Sequence, residues 1–180
     1  MNIKKTETRQ IALAAILTAI VVVLQIIANF VQPIPGVSIT LVLVPVVIGA
    51  ALLGVWAGAW LGFVFGVTVL LSGAATFFLE INPIGAIITT LVKGCCAGLI
   101  AGLTYRLLKK HNQYLAVFAA SIVCPVVNTG LFLIGCRFFF WEEIRNLIIS
   151  VILVNFLVEL GINMLLAPTI LRLINQGRKQ

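Results

Sequence analysis

Apolar residues run along this chain in blocks, and the positions that interrupt the blocks carry the topological information. A helix that crosses a hydrocarbon core of about 30 Å needs about 20 mostly apolar residues. Six stretches meet or approach that length: 10–30, 39–53, 55–71, 85–108, 114–138 and 144–173. Between them lie Gln32-Pro33-Ile34-Pro35-Gly36, the single Gly54, the stretch Ser72 to Pro83, Lys109 to Gln113, and Trp141-Glu142-Glu143. The second and third blocks are short and nearly continuous, and joined they would exceed any bilayer. They are therefore expected to be two helices turning at Gly54, the first of them broken or tilted near Pro45. The pattern predicts an all-α integral membrane protein, a compact bundle of six transmembrane helices forming one domain over residues 1–180.

Composition points the same way. The chain is 62% hydrophobic and 9% charged, with a mean hydropathy of +1.20, and a soluble domain of this size could not carry that without large exposed apolar patches. Cytoplasmic loops are enriched in Lys and Arg. With both termini cytoplasmic, the inner ends collect nine basic residues (Lys4, Lys5, Arg9, Arg106, Lys109, Lys110, Arg172, Arg178, Lys179) against two, Arg137 and Arg145, outside. The net charge of +7 thus follows from topology and attraction to the anionic lipid bilayer, and no nucleic acid is expected as a partner. Lys4 and Lys5 precede the first block as in a signal peptide, but the block is about 20 residues long and lacks a small-x-small cleavage site, so it is expected to stay as a helix.

Missing motifs narrow the chemistry. There is no G-x-x-x-x-G-K-[ST] loop and no Asp, and the one His, His111, sits in a basic loop and fits a solvated residue. Cys95, Cys96, Cys124 and Cys136 fall within spans and form no C-x-x-C pair, which fits small buried apolar residues better than a metal site or a disulfide. Nothing points to an enzyme, a metal or a cofactor.

Polar side chains inside the blocks are costly in lipid and count as functional candidates. They are Lys93 on the fourth helix, Asn128 and Thr129 on the fifth, and Asn155, Glu159 and Asn163 on the sixth. The last three recur every four residues and line one stripe of their helix. By helix rise, Lys93 lies about 12 Å below the outer end of its helix, and Asn128 and Asn155 lie about ten and eleven residues below theirs. These depths let the groups converge on one outward-facing cavity. Simpler roles fit some of them: interhelical hydrogen bonding for Asn128 and Asn163, a structural ion pair for Lys93 and Glu159, a bond to its own backbone for Thr129.

Glycines form two ridges at four-residue spacing, Gly54, Gly58, Gly62, Gly66 and Gly94, Gly98, Gly102, the pattern that lets helix backbones approach closely. Trp56 and Trp141 fall near opposite membrane boundaries, as interfacial Trp residues do.

The basic N-terminus, "ALAAILTAI" in the first helix, "PGVSITLVLVPVVIGAALLG", the Gly ridge and "NPIGAIITTLVKG" together resemble the substrate-binding S components of energy-coupling factor (ECF) vitamin transporters. The similarity covers nearly the whole chain. Gly54-Val55 stands where the family commonly has Gly-Pro. The resemblance implies a bacterial cell-membrane protein that captures a vitamin outside the cell, without ATPase activity of its own. It further implies docking to a transmembrane T subunit and two ABC ATPase subunits, and toppling in the membrane to release the ligand inside. Loops 32–40 and 73–83 would cap the ligand.

Lys93 in a dehydrated pocket favours an anionic ligand. Pantothenate fits, with its carboxylate at Lys93 and its hydroxyls and amide at Asn128, Thr129, Asn155 and Glu159. Riboflavin is the alternative within the family, and a small secondary transporter using Glu159 and Lys93 the alternative outside it. Ala15 and Ala19 in the first helix match the family's small-residue pair that meets the T subunit. The Val21-Val22-Val23-Leu24 run that follows is read as free of any polar group marking a pocket. The pair is also compatible with packing inside its own chain.

Overall fold

A computed structural model describes residues 3–30 and 41–179, with side chains described for 7–30, 41–141 and 156–176. Every regular element among the described residues is an α-helix: α1 Ile3–Phe30, α2 Leu43–Leu53, α3 Val55–Leu71, α4 Thr76–Ile81, α5 Pro83–Leu108, α6 Gln113–Phe139 and α7 Trp141–Lys179. The windows 7–30, 83–108, 113–139 and 156–176 are long and apolar enough to cross a membrane, while α2 and α3 are apolar but shorter. The chain is therefore a multi-pass membrane protein. The expected capping loop 32–40 lies outside the described residues.

Among the described residues there are seven helices, four of them long and apolar enough to cross a membrane, against the six transmembrane helices expected. The additional one, α4, lies in the stretch taken as a connection. Its six residues are too few to show a helical period, and it is held from outside itself. The Phe78 ring meets those of Phe132 and Phe140 edge-on at 5.3 Å each, a favoured aromatic geometry. The expected break at Trp141-Glu142-Glu143 shrinks to Phe140, with α7 starting at Trp141, and α1 begins at Ile3 rather than near residue 10.

Gly54 turns the chain between α2 and α3 in one residue, with φ of 107°, a conformation glycine adopts without penalty. Helix α2 is not broken at Pro45. The residue falls in the first turn, where its missing N–H has no intrahelical acceptor to lose. Asn82 starts α5 by accepting a hydrogen bond from Gly85 N at 2.9 Å. Asn112 starts α6 by accepting from Tyr114 N at 2.8 Å.

Helix α5 has its most extensive contacts with α3 and α6. Toward α3 the two glycine ridges meet backbone to backbone. A Cβ added at Gly58 would lie 2.6 Å from the Gly98 carbonyl oxygen, and one at Gly66 would lie 2.8 Å from that of Thr90. Gly62 and Gly94 face one another more closely still. Toward α6 the adjacent row of α5 is used, with Thr89 seated against Gly135. Trp56 is exposed, and Trp141 at the other end carries the Arg137 guanidinium 4.7 Å from its ring centroid.

Candidate functional site

Two helix faces and one helix edge converge where α5, α6 and α7 pack together. On α6 the buried face is set by residues three and four apart: Ser121, Cys124, Asn128, Gly135 and Cys136, with half-buried Phe132 between. Lys93 of α5 reaches this face. Its Nζ stands 4.3 Å from the Phe132 ring centroid, a cation over an aromatic face, and Cys136 is within its electrostatic reach.

From α7, Glu159 enters the same neighbourhood, 3% exposed and within electrostatic reach of both Lys93 and Cys124. Asn128 lies one turn from Cys124 and one turn from Phe132 on the stripe that these contacts bracket. The fold thus brings Lys93 and Glu159 within electrostatic reach of one another, with Asn128 on the α6 stripe between the residues they approach. Phe132 links them to the aromatic cluster under α4.

Asn128 is 6% exposed, and its Oδ1 has no hydrogen-bond partner among the described residues. Thr129 is half-buried beside it. Asn163 is fully buried; its Nδ2 donates to the Glu159 carbonyl oxygen at 2.9 Å, leaving Oδ1 without a partner among the described residues. The Asn155 side chain lies outside the described residues. All four cysteines are free, and the described residues contain no cluster of three or more His, Cys, Asp or Glu able to hold a metal ion.

Three buried groups escaped the sequence analysis. Ser121 Oγ and Thr89 Oγ1 have no hydrogen-bond partner among the described residues, and neither do the two amide atoms of Gln25. Ser121 stands one turn before Pro125, which has no N–H to bond the Ser121 carbonyl, so α6 is locally richer in unpaired polar atoms than its composition suggests. Gln25 immediately follows the Val21–Leu24 run, itself free of polar groups as expected, and is fully buried. It is the only amide between Gln10 and Asn29, a signal that was available. Unpaired buried polar atoms are uncommon in folded proteins, and here they occur on α1, α5, α6 and α7, with Asn128 one turn from the Phe132 ring that Lys93 covers.

The family description "ECF transporter, substrate-specific component" matches residues 9–171. The chain belongs to this family. An S component is expected to take a vitamin as substrate and to work with an ECF module. The chain is also 30% identical to the pantothenic acid transporter PanT of Lactococcus lactis subsp. cremoris (strain MG1363), over 97% of this chain and 98% of that protein. No solved structure matches it.

Ala15 and Ala19, the pair expected from the resemblance to meet the T subunit, are exposed on α1, on the side away from buried Leu17 and Val21. Among the described residues their side chains are not buried against another helix of the chain, the alternative raised by the sequence. Beside the pair runs an apolar groove of about 690 Å³ between α1, α2 and α7, lined in part by Ile16, Ile20, Val44, Ile48 and Leu173.

Proposed function

We propose that this S component captures pantothenate outside the cell and hands it to an ATP-driven module for uptake. The observation that carries the reading is Lys93, a cation in an apolar bundle, over Phe132 and within electrostatic reach of Glu159. The carboxylate of pantothenate would complete the charge of Lys93, and Coulomb attraction at that depth is several times stronger than in water. The amide and hydroxyls would meet Asn128, Thr129, Asn155 and Glu159. Likeness to a pantothenic acid transporter supports this ligand over riboflavin, which lacks a carboxylate.

In this reading the chain makes six membrane crossings with both termini cytoplasmic, α4 lying at the outer surface over the site. Ala15 and Ala19 form the docking face for the T subunit, since small residues four apart let another helix lie close and packing drives helix association in lipid. The two ABC ATPases act through that subunit.

Isothermal titration of the purified protein tests the ligand. Lys93→Met keeps the length and removes the charge, and truncating one member of a buried charge pair typically costs about 2–5 kcal/mol. Pantothenate affinity should therefore fall about 30-fold or more while folding survives. Tight riboflavin binding without pantothenate binding would replace the ligand, and an unchanged affinity in Lys93→Met would remove Lys93 from the site.

A further inference from the structure

Helix α1 turns one face into the bundle: Leu17, Val21, Gln25 and Ala28, spaced four, four and three apart. Three are apolar and pack as the sequence pattern requires. The fourth is an amide with 0% of its surface exposed, and neither Nε2 nor Oε1 has a hydrogen-bond partner among the described residues. A primary amide carries two donors and an acceptor with two lone pairs, and burying it unpaired is among the costliest choices for such a position. Leu or Met would fill the same volume at no such cost, so packing alone does not account for Gln25.

Position adds a second argument. The outer end of α1 is tied to the outer end of α3, where Asn29 Nδ2 donates to the Ser72 carbonyl, and Gln25 sits one turn further in. It lies about 7 Å below the outer end of α1, whereas Lys93 lies about 15 Å below the outer end of α5. Both residues therefore fall in the half of their own helix nearer the outer end.

We infer that Gln25 recognises the substrate, its carboxamide pairing with a neutral hydrogen-bonding group, hydroxyl or amide, at the end of the ligand remote from Lys93. The inference rests on the reading of the Lys93 site as an anion pocket. It adds a recognition element from α1, where the candidates from sequence all lay on α5, α6 and α7. An unpaired amide held ready for a ligand weakens the ligand-free protein, so stability and affinity should move in opposite directions when it is removed.

The experiment uses the full-length protein in detergent with Gln25→Met and Gln25→Leu. Ligand-free melting is read by thermal shift. Affinity is read by titration with pantothenate, with its ester analogue, in which an oxygen replaces the amide N–H while the carboxylate and hydroxyls stay in place, and with an N-acyl-β-alanine that keeps the carboxylate and amide but lacks the hydroxyls. Both variants should melt at or above the parent and bind pantothenate at least 10-fold more weakly. The analogue lacking the group that meets Gln25 should bind parent and variants alike. If both variants melt below the parent, the amide is structural and the inference fails. It also fails if affinities for all three compounds stay within twofold. Should the parent itself not bind pantothenate, the pantothenate reading fails by that control. Gln25 is then judged by the small molecule that co-purifies: loss from the variants at undiminished melting temperature upholds the inference, and equal retention overturns it.

Discussion

Replacing Gly62 with Ala probes the seam on which α5 is mounted. At neighbouring Gly58 an added Cβ would stand 2.6 Å from a carbonyl oxygen, against ordinary contact from 3.4 Å, a shortfall of 0.8 Å (3.4 − 2.6), and at Gly62 the approach is closer. The obstacle is backbone, so no rotamer change relieves it and the helices must part. A gap of 0.5–1 Å forfeits a quarter to a half of a contact well of about 0.1–0.2 kcal/mol. With about 30 atom pairs affected over one turn, fewer than the 40–60 of a buried Leu, the loss is about 1–3 kcal/mol, the same as the usual overpacking range. Ala also gains about 1 kcal/mol over Gly in a helix interior. Gly130→Ala supplies that gain alone, because among the described residues a Cβ there meets nothing within 4 Å. Comparing the two variants cancels the propensity term and isolates the clash at about 2 kcal/mol. At roughly 2–4 °C per kcal/mol for a chain of this size, ligand-free Gly62→Ala should melt about 4–8 °C below Gly130→Ala in a thermal-shift assay. Equal melting, or Gly62→Ala melting higher, would refute the backbone-contact argument.

Two further outcomes are expected. Asn82→Ala removes the side-chain acceptor at the start of α5 and should lower stability by about 0.5–2 kcal/mol, measurable as a reduced melting temperature that Asn82→Ser or Asn82→Asp largely restores. Ala15→Trp and Ala19→Trp should leave pantothenate binding by the isolated protein intact and abolish ATP-dependent uptake in cells carrying the whole transporter; normal uptake would rule out docking on that face.

Much of the architecture was legible because lipid makes helices obligatory and forces apolar blocks to a minimum length. Gly54 showed itself by standing alone between two blocks. Lys93, Asn128 and Glu159 stood out because a polar group in such a block is conspicuous. What stayed hidden depended on tertiary partners. Helix α4 is six residues long and held by Phe132 and Phe140, which lie more than fifty positions away. The ridges announced close packing, but not that Gly62 would meet Gly94. Gln25 is visible in the sequence but belongs to no three-residue polar stripe like Asn155, Glu159 and Asn163, so periodicity does not single it out. Pro45 was overread, since a proline three positions into a helix breaks nothing.

Helix α5 carries two neighbouring rows with different liberties. Thr90, Gly94, Gly98 and Gly102 lie against α3, where an added methyl group strikes the opposite backbone. Thr89 and Lys93, one residue earlier in each case, look toward Gly135 and Phe132 of α6. One row is a hinge plate that admits almost no exchange of parts, and the other is a keyhole whose shape can be recut. Because the two are about 100° apart on a single rigid rod, a new cargo can be accommodated by changing the side chains at 89 and 93 while the mounting that holds them stays as it is.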